Sequence, residues 1–309
     1  MFAMPEAIAF AAYGGPDVLQ PTDIDIPEPD PAQVRVAVRA AGVNPLDWKI
    51  RSGAMAAAVP VALPHIPGLE FAGTVEETGD GVSGLAVGDE VFGRAPQAYA
   101  SLLLADASEL RLRPDDLDVH RAAGLPVAAE AAHRALEELG VTAGETVLVH
   151  GAGGAVGALA SQFAVARGAR VVGTAAGRAH ERLSRLGAVP VEYGAGWADR
   201  VRAVAPDGVA AVLDAAGADV LAESVQLAGG PARVLTLADP RAEEHGVRFS
   251  SGGSGADRTG AALDEALALH RRGALDLPLH EPVPLAEAAR AHRAGEAGGL
   301  DGKLVLTVG

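Results

Sequence analysis

The sequence of 309 residues contains no cysteine, and only 4% of its residues are aromatic. The absence of cysteine excludes disulfides, thiolate chemistry, Cys-ligated zinc and iron–sulfur clusters. It is compatible with a reducing, cytoplasmic location, which we expect. No run of about 20 uncharged apolar residues is present, so no membrane span is predicted. The first ten residues lack a basic region followed by a sustained apolar segment, and no secretion signal is expected.

Basic residues are also scarce relative to acidic ones. Lys and Arg total 25 against 40 Asp and Glu, which gives a formal net charge of -15. This balance argues against nucleic acid or an anionic membrane as a partner, and an anionic ligand must be held by a local site. With 49% hydrophobic residues, the chain can nevertheless bury a core.

A glycine-rich turn is the most informative motif. Thr146–His150 is rich in β-branched residues and predicts a strand, and the sequence HGAGGAVG that follows predicts a helix opening near Gly154. A helix start presents unpaired N–H groups and the positive end of its dipole, which suits a pyrophosphate. The strict GxGxxG pattern is not met, because Ala152 occupies its first position. The order strand, turn, helix, strand still favours dinucleotide binding over a purely structural turn.

The hydrophobic period changes near Asp118. Before it, short alternating runs cut by Gly and Pro predict an antiparallel β domain. Its expected strands are Ala7–Ala11, Val34–Ala40, Phe71–Glu77, Asp89–Phe92 and Ala98–Leu104. A helix is predicted over Val127–Leu139.

From Thr146 to about Ser251, strands alternate with helices, which predicts a doubly wound parallel sheet of the Rossmann type. Its six expected strands are Thr146–His150, Arg170–Thr174, Val189–Tyr193, Ala210–Leu213, Arg233–Leu237 and Val247–Phe249. Helices are then predicted over Ala256–Arg272 and Leu285–Ala294. A last strand, Lys303–Val308, is expected to return to the β domain. The predicted class is therefore α/β.

The residues after the second Rossmann strand bear on the choice of nucleotide. In this fold an acid there takes the ribose hydroxyls of NAD, and a basic residue takes the 2′-phosphate of NADP. No acid occurs before Glu181, whereas Arg178 and Arg182 are candidates for the phosphate, with the Tyr193 hydroxyl as a further donor. One charged hydrogen bond contributes about 1.5–3 kcal/mol, so one Arg could favour NADPH roughly ten- to a hundredfold. The alternative is that Arg178 is a solvated loop residue.

Several segments, taken in order, resemble the medium-chain dehydrogenase/reductase superfamily in its zinc-free quinone oxidoreductase branch. They are AGVNPLD (41–47), IPGLEFAG (66–73), VGDEV (87–91), LPVAA (125–129), HGAGGAVG (150–157), LGA (186–188), DAAG (214–217) and GKLV (302–305). The resemblance implies a GroES-like antiparallel β domain, over 1–121 and 255–309, joined to a Rossmann domain over 122–254. It also implies a homodimer.

The resemblance further implies that no metal takes part. In zinc-containing members a Gly-His-Glu segment supplies a ligand, and here Leu69 stands in place of that His. The implied reaction is hydride transfer from NADPH to a quinone or an α,β-unsaturated carbonyl. A dedicated enoyl reductase of a biosynthetic pathway remains an alternative, as does an NADPH-binding redox sensor or structural protein without turnover.

Site residues follow from the same resemblance. Asn44 is expected to hydrogen-bond the nicotinamide ribose or the substrate, Asp47 to fix its loop, and Lys49 to stabilise an enolate. Many relatives carry Tyr where this chain has Trp48, which can stack on a flat substrate but cannot protonate an enolate. Alternatively, Lys49 is a surface charge and Trp48 a core aromatic. The expected cofactor contacts are Ala152, Gly153, Gly154, Ala155 and Val156 at the pyrophosphate, Thr174, Arg178 and Tyr193 at the adenosine phosphate, and Ala215, Ala216, Gly217 and Lys303 towards the nicotinamide.

Overall fold

The computed structural model describes residues 6–252, 258–300 and 302–309. The chain divides into two compact units, one of Met1–Val127 with Pro278–Gly309 and one of Ala128–Leu277. The chain first forms β1 (Glu6–Ala9), β2 (Gln20–Asp23), β3 (Gln33–Gly42), α1 (Pro45–Arg51), β4 (Glu70–Thr78), β5 (Glu90–Arg94), β6 (Leu102–Asp106), β7 (Leu110–Leu112) and α2 (Val119–Gly124).

The following elements are α3 (Pro126–Leu139), β8 (Thr146–His150), α4 (Ala155–Ala166), β9 (Arg170–Ala175), α5 (His180–Arg185), β10 (Val189–Glu192), α6 (Trp197–Val204), β11 (Ala211–Asp214), α7 (Leu221–Leu227), β12 (Val234–Thr236), β13 (Arg248–Phe249) and α8 (Thr259–His270). The chain ends with β14 (Val283–Pro284), α9 (Ala288–Ala297) and β15 (Val305–Thr307).

The first unit is built on a mostly antiparallel sheet. Its strand order is β14-β15-β3-β4-β5-β7, with β6 also paired to β3. The alternation of Val34, Val36 and Val38 along β3 buries one face of the strand in the core, as period-two patterning requires. β15 pairs antiparallel with β3, so the C-terminal segment does return to this sheet, as predicted.

The second unit is a parallel sheet of six strands in the order β10-β9-β8-β11-β12-β13. The strands are near-continuous apolar runs because helices cover both faces of such a sheet. Counted from β8, this is the order 3-2-1-4-5-6 of the dinucleotide-binding fold, in which the direction of strand addition reverses between the parallel strands β8 and β11. The predicted α/β class with a Rossmann sheet and an antiparallel β domain is confirmed.

Two segments differ from the sequence-based expectation. Residues 44–51 were expected as a loop, but Pro45–Arg51 is a helix, capped by the Asp47 carboxylate, which accepts the Asn44 N–H at 2.8 Å. Residues 258–277, placed by sequence with the β domain, pack in the second unit. Gln162 exchanges two hydrogen bonds of 2.7 and 2.8 Å with the main chain of Asp276, which ties that segment to α4. Residues 256 and 257 of the predicted helix lie outside the described residues.

Across the three described ranges, no helix combines the length and the apolar character needed to cross a membrane.

Candidate functional site

The glycine-rich turn lies at the point where the sheet order reverses. The chain leaves β8 at Gly151, and α4 begins at Ala155 with Gly154 as its N-cap. Ala152 donates its N–H to the Thr174 carbonyl at 3.0 Å, and Gly154 donates to Gly151 at 3.0 Å. The first main-chain bond of α4 runs from Ala158 to Gly154. The N–H groups of Ala155, Val156 and Gly157 therefore precede the helical hydrogen-bond ladder, as at any helix start.

Close packing of the turn requires its small residues. A Cβ placed on Gly157 would lie 2.2 Å from the Gly151 carbonyl oxygen, which no side chain can tolerate. Ala152, which stands where the GxGxxG pattern has its first glycine, fits because the neighbouring strand β9 has a glycine beside it. A Cβ on Gly173 would come within 2.7 Å of the Ala152 methyl group. The methyl group that breaks the GxGxxG pattern thus occupies the space left by a glycine of β9.

The loop after β11 lies against the glycine-rich turn. A Cβ on Gly151 would be 3.2 Å from the Ala216 methyl group, so the two turns are in near contact. The Asp214 carboxylate shapes the loop by accepting the N–H groups of Ala216 and Gly217 at 2.9 and 3.0 Å, and the Thr236 hydroxyl at 2.8 Å. The structure therefore brings Ala215–Gly217 together with the predicted pyrophosphate residues.

His150, the last residue of β8, is buried below this region. Ser224 donates its hydroxyl to the Val220 carbonyl, so it accepts from His150 Nε2 at 3.0 Å. His150 Nδ1 must then accept from the Thr174 hydroxyl at 3.0 Å. Burial lowers the pKa of His150 to about 4, so the ring is neutral at pH 7. The hydroxyl proton of Thr174 is thus directed at His150, which leaves only its oxygen lone pairs for a ligand.

The candidates for the adenosine phosphate follow β9 and β10. Arg178 and Tyr193 are both exposed, Tyr193 by 59%. Arg182 instead donates Nη2 to the Gly153 carbonyl at 2.8 Å. Sequence reasoning missed Glu192, whose carboxylate oxygen lies 3.2 Å from the Cβ position of Gly177 and 3.5 Å from His180 Nε2. The pairing of Glu192 with Ala175 in the sheet places this acid at the end of the second strand, where the sequence had predicted only basic residues and Tyr193.

In the first unit, Asn44 is held by a buried ion pair. Lys303 Nζ donates to the Glu70 carboxylate at 2.7 Å, to Asn44 Oδ1 at 2.6 Å and to the Val43 carbonyl at 2.8 Å. Asn44 Nδ2 donates to the same carboxylate oxygen of Glu70 at 2.8 Å, and the Val127 N–H donates to the other at 2.7 Å. Glu70 is fully buried, and Asn44 and Lys303 are each 5% exposed. We call Asn44, Glu70 and Lys303 the clamp.

Asp47 belongs to a second buried chain of polar groups beside the clamp. Its carboxylate accepts the Tyr99 hydroxyl at 3.1 Å, and Tyr99 in turn lies 3.1 Å from His292 Nε2. Burial raises the pKa of Asp47 to about 7, and it lowers the pKa of His292 to about 3. The expected role of Asp47 in fixing the segment after Asn44 agrees with its bond to the Asn44 N–H.

Trp48 and Lys49 occupy different environments. The Trp48 ring is half-buried against α9, at Gly295 and edge-on to His292, with ring centroids 6.2 Å apart. Lys49 is exposed. Trp48 therefore packs largely as a core aromatic. Sequence alone had left this open.

The donor set at the Leu69–Glu70 position does not fit a zinc ion. Zinc requires three or four ligands from Cys, His and carboxylates at one point. Over residues 6–252, 258–300 and 302–309, no group of three or more such side chains is arranged to hold a metal. Both oxygens of Glu70 are occupied by the clamp and by Val127.

Comparison with known proteins agrees with the two-unit architecture. Residues 30–109 match the alcohol dehydrogenase GroES-like domain, and residues 186–306 match a family described as zinc-binding dehydrogenase. A quinone oxidoreductase of Pseudomonas aeruginosa is 32% identical, over 98% of this chain and 99% of that protein. A 2-methylene-furan-3-one reductase of Solanum lycopersicum is 34% identical, over 75% of this chain and 62% of that protein.

A solved structure extends the likeness to the whole fold. A mycobacterial protein in complex with NADPH superimposes with a TM-score of 0.83 and 30% identity, over 98% of this chain and 99% of that one. The prediction of family from sequence is confirmed. The chain belongs to the quinone oxidoreductase group of the medium-chain dehydrogenase/reductase superfamily and is an oxidoreductase of that type.

Proposed function

We propose that the protein is an NADPH-dependent, metal-free reductase that transfers hydride to a quinone or an α,β-unsaturated carbonyl. The observation that carries the proposal is the glycine-rich turn at the reversal point of the 3-2-1-4-5-6 sheet, where the amides of Ala155 and Val156 begin α4. Helix-start amides and the helix dipole favour a bound pyrophosphate. The likeness to a mycobacterial protein in complex with NADPH supports the same cofactor.

The bound cofactor supplies the hydride from its nicotinamide ring, and the protein orients the acceptor and stabilises negative charge on its oxygen. In the proposal, Asn44 presents its amide to the nicotinamide ribose or to the substrate oxygen. Lys303 acts through Asn44, because its three N–H groups are already directed at Glu70, Asn44 and Val43. Lys49 remains available as a cation for a developing enolate because its side chain is exposed.

Selectivity for NADPH depends in this proposal on Arg178 and Tyr193, opposed by Glu192. A basic group attracts the 2′-phosphate, whereas a carboxylate repels it and can bind the ribose hydroxyls of NADH. Arg178→Ala should raise KM for NADPH roughly ten- to a hundredfold, the worth of one charged hydrogen bond, and leave KM for NADH nearly unchanged. Glu192→Gln should act oppositely and lower KM for NADPH relative to NADH.

The matched control for both variants is Arg202→Ala on α6, which removes an exposed arginine of the same unit that pairs with Asp199. It should change neither constant. Equal effects of Arg178→Ala on NADPH and NADH would contradict the assignment of Arg178 to the 2′-phosphate.

The acceptor class is supported by the conjugated ketone in the name of the Solanum lycopersicum relative and by the quinone oxidoreductases. Purified protein should oxidise NADPH in the presence of quinones, 2-alkenals or cyclic enones. Turnover confined to an enoyl thioester would favour the biosynthetic alternative. NADPH binding without turnover on any of these acceptors would favour a sensor or structural role.

We also propose that the protein works as a cytoplasmic homodimer joined through the edge strand β13. Arg248 and Phe249 on this strand are exposed, Phe249 by 47%, and an uncovered apolar edge invites pairing. Light scattering should give twice the chain mass, and Phe249→Glu should lower it towards one chain. A monomeric native protein would contradict this part of the proposal.

A further inference from the structure

A cavity of about 740 Å³ lies in the second unit, away from the glycine-rich turn. It is open to solvent on one side and is lined by the C-terminal half of α4, by α5, and by the end of α8 with the segment after it. Its α4 residues, Gln162 to Ala166, lie seven to eleven positions beyond Ala155, roughly 10–16 Å along the helix axis. The cavity is therefore distinct from the helix start where the pyrophosphate is expected.

Three arginines line this cavity, in a chain whose formal net charge is -15. They are Arg182, Arg185 and Arg272, and Asp276 is the one acid among the described lining residues. Such a local excess of positive charge on an acidic protein attracts an anion. Planar guanidinium groups suit phosphate oxygens because each can donate two parallel hydrogen bonds.

The guanidinium of Arg182 is held in place by one hydrogen bond, and one of its nitrogens has no hydrogen-bond partner. Its Nη2 donates to the Gly153 carbonyl at 2.8 Å, which fixes the guanidinium, while its Nη1 is buried with no hydrogen-bond partner. A buried N–H without a partner is costly, and the positive charge of Arg182 at this wall favours an anion nearby. Because Gly153 holds the guanidinium in place, little side-chain entropy is lost when a ligand binds.

Apolar side chains form much of the remaining lining, and hydrogen bonds hold one wall in place. Val165, Leu186, Leu269 and Leu275 provide apolar surface, and the paired bonds between Gln162 and the main chain of Asp276 hold the segment after α8 against α4. Ligand cavities in proteins typically enclose about 300–1,000 Å³ and combine apolar walls with a few polar groups. The volume and the lining both fall within that description.

We propose that this cavity is a second anion site, which binds a small organic phosphate with an apolar body. The phosphate is held by the three guanidinium groups, and the apolar body lies against the leucine and valine side chains. The site does not depend on the proposed reductase activity, since of its lining residues only Arg182 was also a candidate for the 2′-phosphate, and Arg182 instead donates to the Gly153 carbonyl.

The test is calorimetric titration of the purified protein with phenyl phosphate, at constant ionic strength. We expect a binding event that persists in saturating NADPH. The double variant Arg185→Gln/Arg272→Gln should weaken it at least tenfold, and Arg202→Gln, an exposed arginine of the same unit, should leave it unchanged. Arg185 and Arg272 are both exposed, so circular dichroism of the double variant should show an unaltered fold.

Three results of the titrations with phenyl phosphate would overturn the proposal. They are no binding of phenyl phosphate, equal weakening by the double variant and by Arg202→Gln, and loss of binding in saturating NADPH. The last result would place the phosphate at the nucleotide turn. Phenol serves as the probe without the phosphate, and binding of phenol as tight as that of phenyl phosphate would equally refute an anion site.

Discussion

Replacement of Lys303 tests the clamp most sharply. Lys303→Met keeps an apolar stem of similar length but leaves the fully buried Glu70 carboxylate without its cation. Asn44 Oδ1 and the Val43 carbonyl lose a donor in the same change. Removing one partner of a buried pair costs about 3–5 kcal/mol, because the remaining charge stays buried and uncompensated. We therefore expect the free energy of unfolding of the first unit to fall by that amount.

The protein supplies a convenient assay and a matched control. Each unit contains one of the two tryptophans, so urea unfolding in a Trp197→Phe background reports on the first unit through Trp48. Arg35→Met breaks the pair between Arg35 and Glu77 in the same sheet. That pair is partly exposed, and its loss should cost only about 0–1 kcal/mol.

A double variant separates charge from packing. Glu70→Gln combined with Lys303→Met removes both charges, so it should be markedly less destabilised than Lys303→Met alone. If Lys303→Met costs no more than Arg35→Met, or if the double variant is less stable than Lys303→Met alone, Glu70 and Lys303 do not form a stabilising buried ion pair.

Three further predictions concern other parts of the molecule. Asp47→Asn should change the pH dependence of unfolding. Burial raises the pKa of Asp47 from its usual 3.8 to about 7. The contribution of Asp47 to the free energy of unfolding is therefore fully present below pH 3.8 and is lost as the pH rises to about 7. The stability of the parent relative to the variant, measured by denaturant titration, should decline by up to roughly 4 kcal/mol over that window, and a flat difference would contradict the raised pKa. Gly157→Ala should abolish NADPH binding in a fluorescence titration, because its Cβ would lie 2.2 Å from the Gly151 carbonyl oxygen, and undiminished affinity would show that the turn does not need this close approach. Lys49→Ala should lower kcat more than cofactor affinity in steady-state assays, and an unchanged kcat would make Lys49 a surface charge.

The Rossmann unit was largely predictable because its determinants are local. The β-branched run Thr146–His150 is bounded by glycine, and the observed strand has the predicted limits. The alternation of strands and helices, with the right-handed crossover rule, also predicts the parallel pairing of these strands. The helix after Asn44 was missed, although its sequence carried a signal: Asn at the cap, Pro at the first helical position and Asp at the third.

The polar contacts of the site could not be predicted in the same way. Glu70 and Lys303 lie far apart in sequence and meet only because β15 returns to β3. Glu192 reaches the end of β9 only through the pairing of β10 with that strand. In both cases the contact depends on which strands pair in the folded protein. The local sequence around each residue does not indicate that pairing.

We propose above that the protein transfers hydride from NADPH to a conjugated acceptor without a metal. The direct measurement is NADPH consumption by the purified protein with a quinone, a 2-alkenal or a cyclic enone, before and after dialysis against a strong zinc chelator. We expect turnover with at least one of these acceptors and no change after chelation. Loss of activity on chelation, or zinc-dependent oxidation of a simple alcohol instead, would contradict it.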